Sequence, residues 1–225
     1  MWRRKRVSLR PLATRMRRLR ADEGGLALVE FAFAAPFMIL LTLGGAELAN
    51  LAITHARISA ITSQIADGVA RVRDRIDEND INDVITGAKL AAGNLNLTSN
   101  GRIIISTVED YDTTATPTTD MKITWQRCKG TKNDVASADT IGAEGAILTS
   151  AIGESGRQIT ATPSSPVIVV QIFYNYQPLM TRQFFTRGPI KYTSAFSVRD
   201  RTLQTMQNGQ SLAANAKATC NYFTA

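Results

Sequence analysis

The chain has 225 residues, with 26 Lys+Arg against 19 Asp+Glu and a formal net charge of +7. Nine of those basic residues lie between Arg3 and Arg20, and no acidic residue precedes Asp22. The rest of the chain carries 17 basic against 19 acidic residues, which argues against a nucleic-acid-binding surface and leaves room for one exported domain of ordinary size.

From Leu26 to Ile53 the sequence reads LALVEFAFAAPFMILLTLGGAELANLAI, with Glu30 and Glu47 its only charges. A helix of that length crosses a hydrocarbon core of about 30 Å. Basic residues stay on the cytoplasmic side, so the arginine block holds the N-terminus inside and sends the rest to the periplasm or cell exterior. A cleaved secretory signal fits poorly, because its apolar region covers only about 7–15 residues. A buried core helix of a soluble protein competes with the membrane reading, but it gives the arginine block no role.

Helical periodicity continues past the apolar run. Ile58, Ile61, Ile65, Val69, Val72 and Ile76 recur at spacings of three and four, which places them on one helix face. The sequence therefore predicts one continuous helix from Leu26 to Ile76, about 75 Å long. Residues 26–53 form its transmembrane part and residues 54–76 an exported amphipathic continuation. The stripe contacts the helix's own domain, neighbouring subunits, or both.

Residues 77–225 read as an α+β periplasmic domain. Asp77 to Asp80 break the pattern, and Asn79 or Asp80 is expected to cap a short helix carrying Ile81, Val84, Ile85 and Ala88, ended by Gly93 and Asn94. Arg102–Val108, Met121–Trp125, Val167–Tyr176 and Ile190–Val198 are rich in β-branched and aromatic residues and predict strands. Thr113–Thr119 and Gly130–Ser155 read as loops. The fold class is α+β, with an antiparallel sheet packed on the exported half of the long helix.

Cys128 and Cys220 are the two cysteines, and both fall in the exported part. In an oxidising compartment they are expected to form a disulfide.

No catalytic constellation assembles, and no metal or cofactor site is expected. The single histidine, His55, reads as a surface residue at the membrane boundary, with no second imidazole to share a metal. Gly153-Glu154-Ser155-Gly156 lacks the spacing of a nucleophile elbow, because position 157 is arginine. Glu109, Asp110 and Asp112 read as a solvated turn rather than a calcium site. Glu47 lies near the far end of the span, where partial hydration lowers its cost. Glu30 lies just inside the cytoplasmic boundary, where it either snorkels to the interface or pairs with a cation.

The stretch Gly24-Gly25-Leu26-Ala27-Leu28-Val29-Glu30-Phe31 bears on that choice. A basic leader, a glycine, four apolar or small residues, then Glu-Phe opening a long apolar helix resembles the type IV prepilin processing site. With Pro36 and the later Gly-rich stretch up to Glu47, the run is similar to the TadE-like pseudopilins of the tight-adherence (Flp, type IVc) pilus system. VVQIFYNYQPLM resembles a Tyr-rich, Pro-terminated strand of these proteins.

The resemblance implies that residues 1–25 are a leader, removed by prepilin peptidase between Gly25 and Leu26. The new amino group of Leu26 would then pair with Glu30, above all on a neighbouring subunit. Residues 26–225 carry 17 basic and 17 acidic residues and are formally neutral. The implied function is a non-enzymatic minor pseudopilin or pilus-assembly component of the inner membrane. Its implied partners are prepilin peptidase, other pilins or pseudopilins, and the inner-membrane pilus platform. A signal-anchored periplasmic binding or sensor module unrelated to pili is the alternative.

Overall fold

A computed structural model describes residues 24–111, 120–153, 156, 158–163, 165–180 and 188–225. The chain divides into two units, Met1–Ala49 and Asn50–Ala225. Helix α1, Gly24–Ala70, runs through the described part of the first and into the second. Within the first unit it continues through Pro36, and Thr42 Oγ1 donates back to Met38 O at 2.7 Å. Such back-bonding is one way an apolar helix satisfies a hydroxyl without leaving its axis.

The second unit opens with the end of α1, which stops at Ala70 and not at the expected Ile76. Three features end the helix there. Val72 N bonds Val69 O at 3.4 Å, tightening the last turn. Asp74 takes a positive φ of 58°, which reverses the chain. The Arg201 guanidinium also donates to Val69 O through Nη2 at 3.4 Å, placing a cation at the negative end of the helix dipole. Residues 71–76 are thus not helical. Asp74–Asp77 form strand β1, paired in parallel with β7, Arg201–Gln207. Ile76 is still fully buried, so the stripe reaches the core while its last member sits on a strand.

Helix α2, Glu78–Ala92, is capped by Asp77 rather than by Asn79 or Asp80. Asp77 Oδ1 accepts from Asn79 N at 3.0 Å, and Asp80 Oδ2 accepts from Asp77 N at 2.8 Å. This is a capping box written in aspartates. Asp77 Oδ2 also accepts from Gly209 N at 2.6 Å, tying the start of α2 to the chain beyond β7. These donors, Asn79 N–H foremost, hold the Asp77 carboxyl below its ordinary value. Gly93 closes α2 as expected, and the short α3, Leu97–Asn100, leads into the sheet.

The main sheet is antiparallel and five-stranded, in the order β4-β3-β2-β5-β6. Its strands are β2, Gly101–Asp110; β3, Met121–Lys129; β4, Ile147–Leu148; β5, Val167–Tyr174; and β6, Ile190–Ser197. The four expected strands occur, with β3 running four residues further than its apolar core suggests. Strand β4 lies in the stretch expected to be loop.

All eight residues of β5 and the first eight of β2 are buried, because both sheet faces are covered. On one face Ile103, Ile105, Trp125, Ile168, Val170 and Ile172 share a buried cluster with Ile58, Ile61, Ile65 and Val69 of α1 and Ile81 and Ile85 of α2. Burying each such side chain contributes about 2 kcal/mol. On the other face Val108, Met121, Ile123 and Val169 meet Ile152 and Ala161 from the long β4–β5 connection.

One ion pair is buried with this core. Arg127 on β3 donates through Nε and Nη2 to both carboxylate oxygens of Glu78, the closest contact being 2.6 Å. Arg127 Nη1 reaches the exposed Glu144 at 3.2 Å. Burial disfavours the charge on Arg127, but the carboxylates of Glu78 and Glu144 together outweigh it and hold its proton more tightly than usual. Glu78→Gln leaves a buried guanidinium without its main counter-charge, and such a loss costs about 3 kcal/mol. Urea unfolding of the full chain in detergent micelles is expected to register that loss, and an unchanged midpoint would show that the pair contributes nothing net.

Candidate functional site

The candidate site is the N-terminal part of α1. Every large apolar side chain from Leu26 to Leu43 is exposed, between 45 and 77 %. Among the described residues this is the one helix long and apolar enough to cross a membrane. A core helix of a soluble protein would instead have its apolar residues covered, as Ile58, Ile61 and Ile65 are further along the same helix.

Gly24 and Gly25 open α1. A Cβ added at Gly25 would meet nothing within 4 Å, and the residue has no positive φ. The fold therefore makes no demand for glycine there, and glycine inside a helix costs about 1 kcal/mol relative to alanine. The contrast is Gly130, where φ is +126° and a Cβ would run into Gly101 O. Glycine at position 130 is structural, while glycine at position 25 lacks a structural reason.

Leu26 and Glu30 are one helical turn apart, and Glu30 is exposed. The four-residue spacing places the Leu26 backbone nitrogen and the Glu30 carboxylate on the same side of the helix. A carboxylate so placed is open both to an amino group at the start of its own helix and to one on a neighbour.

The polar residues near the end of the apolar run depart from their expected settings. Glu47 is 1 % exposed rather than hydrated. His55 is half-buried rather than on the surface, because its Nδ1 lies 3.1 Å from Tyr192 Oη and its ring meets that tyrosine edge-on. One turn earlier, Asn50 Nδ2 donates to Tyr176 Oη at 2.7 Å. Leu51, His55, Tyr176 and Ile190 line a cavity of about 390 Å³ there. Both tyrosines come from the stretches read as strands, but nothing in their spacing tells which helix residue they meet.

A larger cavity of about 660 Å³ lies on the opposite sheet face, lined by Asp139, Ile141, Gln171, Lys191 and Thr193 among others. Its polar groups engage one another. Gln171 Oε1 accepts from Ile141 N at 3.0 Å, and Lys191 Nζ stands 3.8 Å from Asp139. Among the described residues no three His, Cys, Asp or Glu side chains are placed to share a metal ion. Glu109 is half-buried and accepts from Thr124 Oγ1 at 2.6 Å, so it is not part of a freely solvated turn. Asp112, Glu154, Ser155 and the basic residues Arg3 to Arg20 lie outside the described residues.

Cys128 and Cys220 are joined in a disulfide. Sequence reasoning found the pair from compartment and count. It missed the buried cations Arg102, Arg127 and Arg201, because a lone arginine in a strand carries no sign of whether its guanidinium will be enclosed.

Comparison with protein-family models, curated proteins and solved structures returns no match for this chain.

Because Gly25 has open space around it, Gly25→Val is expected to leave the fold intact. Circular dichroism and thermal unfolding in detergent should match the unsubstituted chain within about 1 kcal/mol. A loss of helix would show instead that glycine at this position is structural.

Proposed function

We propose that the chain is a minor pseudopilin or assembly component of a tight-adherence type pilus system, anchored by residues 26–53 in the inner membrane. The observation that carries the reading is the glycine pair at the head of α1. Gly25 has no steric or conformational role in the fold, yet it stands where a processing peptidase would need a small residue. The exposed apolar surface that follows and the exposed Glu30 four residues beyond Leu26 support the same reading.

In this account residues 1–25 remain in the cytoplasm, held there by Arg3 to Arg20. Prepilin peptidase cuts between Gly25 and Leu26, removing the leader and sparing the anchor. The freed amino group of Leu26 then neutralises a Glu30 carboxylate at a depth where an unpaired charge costs a few kcal/mol. Pairing between neighbours would set the register of one subunit against the next in the membrane. The protein acts through subunit packing with other pilins or pseudopilins and the inner-membrane platform, without catalysis. The exported unit, cross-linked by Cys128–Cys220, is suited to an oxidising compartment.

The alternative, a signal-anchored periplasmic binding or sensor module, has one observation in its favour, the 660 Å³ cavity beside Lys191 and Asp139. N-terminal sequencing of the mature protein separates the two readings. The pilus reading requires a first residue of Leu26, and Gly25→Val should block that cut. Glu30→Ala should be cut normally but fail to co-assemble with its pilin partners. An intact Met1, or a signal-peptidase cut beyond Ala35, in functional protein would contradict the pseudopilin reading. Normal assembly of Glu30→Ala would remove the pairing role and leave the cut standing.

A further inference from the structure

Beyond β7 the chain returns along the outer edge of β3. Strand β4 covers that edge only at Met121 and Lys122. Further along, Cys128 N donates to Ala218 O at 2.6 Å and Gly130 N to Thr224 O at 3.0 Å. Residues 218–224 therefore satisfy edge amides that no strand reaches. They also help cover Ile104 and Phe173, which form a small buried cluster with Cys128 against Cys220.

One side chain gathers this segment. Arg102, on β2, is 4 % exposed. Its Nη2 donates to Cys220 O at 2.6 Å, and its Nη1 to Tyr222 O at 3.3 Å and Gly130 O at 3.1 Å. The Phe223 ring lies 4.1 Å from the guanidinium carbon, a cation–π distance. The seat of Arg102 is fixed on both sides. Arg102 itself pairs with Phe173 of β5 and its neighbour Gly101 with Tyr174, and Gly130 approaches Gly101 too closely for any side chain.

None of these contacts involves sulfur. The carbonyls of Cys220 and Tyr222, the Phe223 ring and the edge amides carry no sulfur, so their capacity to bind does not itself depend on whether the cysteines are thiols or a disulfide. We propose that Arg102 is a latch that docks residues 218–224 before oxidation and thereby sets the Cys220 thiol against Cys128. Arg102 is a positioning residue for the cross-link, and the disulfide secures an arrangement already made.

The oxidation is an ordinary thiol–disulfide exchange with a small-molecule or protein disulfide as oxidant. One cysteine thiolate attacks the oxidant's S–S bond and releases one thiol. The other thiolate then attacks the mixed disulfide, forming the Cys128–Cys220 bond and releasing a second thiol. Two electrons pass to the oxidant, and the protons given up by the cysteines end on the released thiols. The second step is intramolecular, so its equilibrium measures how well the chain already holds the two sulfurs together.

The test uses the full chain in detergent micelles, equilibrated with reduced and oxidised glutathione. The effective concentration of the cysteine pair is read from the disulfide fraction. Arg102→Lys keeps the charge but loses the fork that reaches two carbonyls at once. It is expected to lower the effective concentration by about tenfold or more, and an unchanged value would overturn the proposal. Should Arg102→Lys fail to fold, Phe223→Leu decides. It alters a ring that is 47 % exposed, and a smaller fall supports the latch while no fall overturns it.

A second readout removes sulfur altogether. With Cys128→Ser and Cys220→Ser combined, amide hydrogen exchange at position 128 and at Gly130 should stay slow. Adding Arg102→Lys should make both fast while Ile105 and Val170 remain protected. Fast exchange in the cysteine-free chain with Arg102 intact would show that the disulfide alone holds the segment, and slow exchange without Arg102 would show that neither is needed. Either result overturns the proposal.

Discussion

Apolar surface left in water is the constraint on which the reading of this chain turns. Along α1 the leucines, phenylalanines and other large apolar residues from Leu26 to Leu43 are all exposed, while further along the same helix the isoleucines at 58, 61 and 65 are enclosed. A helix can leave such a surface to lipid because its backbone groups are satisfied within the segment. Pro36 and the Thr42–Met38 back-bond fit that environment without breaking the helix. The change from exposed to buried side chains along one helix separates a segment long and apolar enough to cross a membrane from one that forms core.

The second unit depends on that change, since the core is arranged around the last turns of α1. Its far end is closed by polar contacts from distant parts of the chain. Arg201 meets Val69 O, Asp77 joins the cap of α2 to Gly209, and Glu78 receives Arg127 from the sheet. Each contact places a charge at a helix end or against a buried opposite charge. The helix-rich and sheet-rich halves of the unit are thus joined by a few named side chains as well as by apolar contact. Where the chain after β7 needed fastening to an uncovered sheet edge, the same chemistry recurs in Arg102.

Much of this was legible in the sequence, for reasons that differ by element. The apolar run and the isoleucine stripe follow periodicities of composition, and four strands announced themselves through β-branched and aromatic residues. The disulfide followed from two cysteines in a part read as exported. The strand at Asp74–Asp77 was not legible, because DRID lacks strand character and is held by parallel pairing with the equally polar RTLQTMQ. The helix was therefore read six residues too long, its periodicity continuing through Ile76 on a strand that keeps the side chain buried. The half-burial of His55 escaped for a related reason, as it depends on Tyr192, 137 residues away. The resemblance to a processing motif rests on the sequence around Gly25 and Glu30. The structure adds that Gly25 has open space around it and no conformational need for glycine.

The central claim is that α1 crosses a bilayer once, with the arginine block inside and the second unit outside. Fusing alkaline phosphatase, which is active only after export, beyond Ala225 tests it directly, with a fluorescent protein that folds only in the cytoplasm as the paired reporter. The account predicts strong phosphatase activity from membrane-bound fusions and no fluorescence. Fluorescent fusions lacking phosphatase activity, or fusions recovered in the soluble fraction, would contradict it.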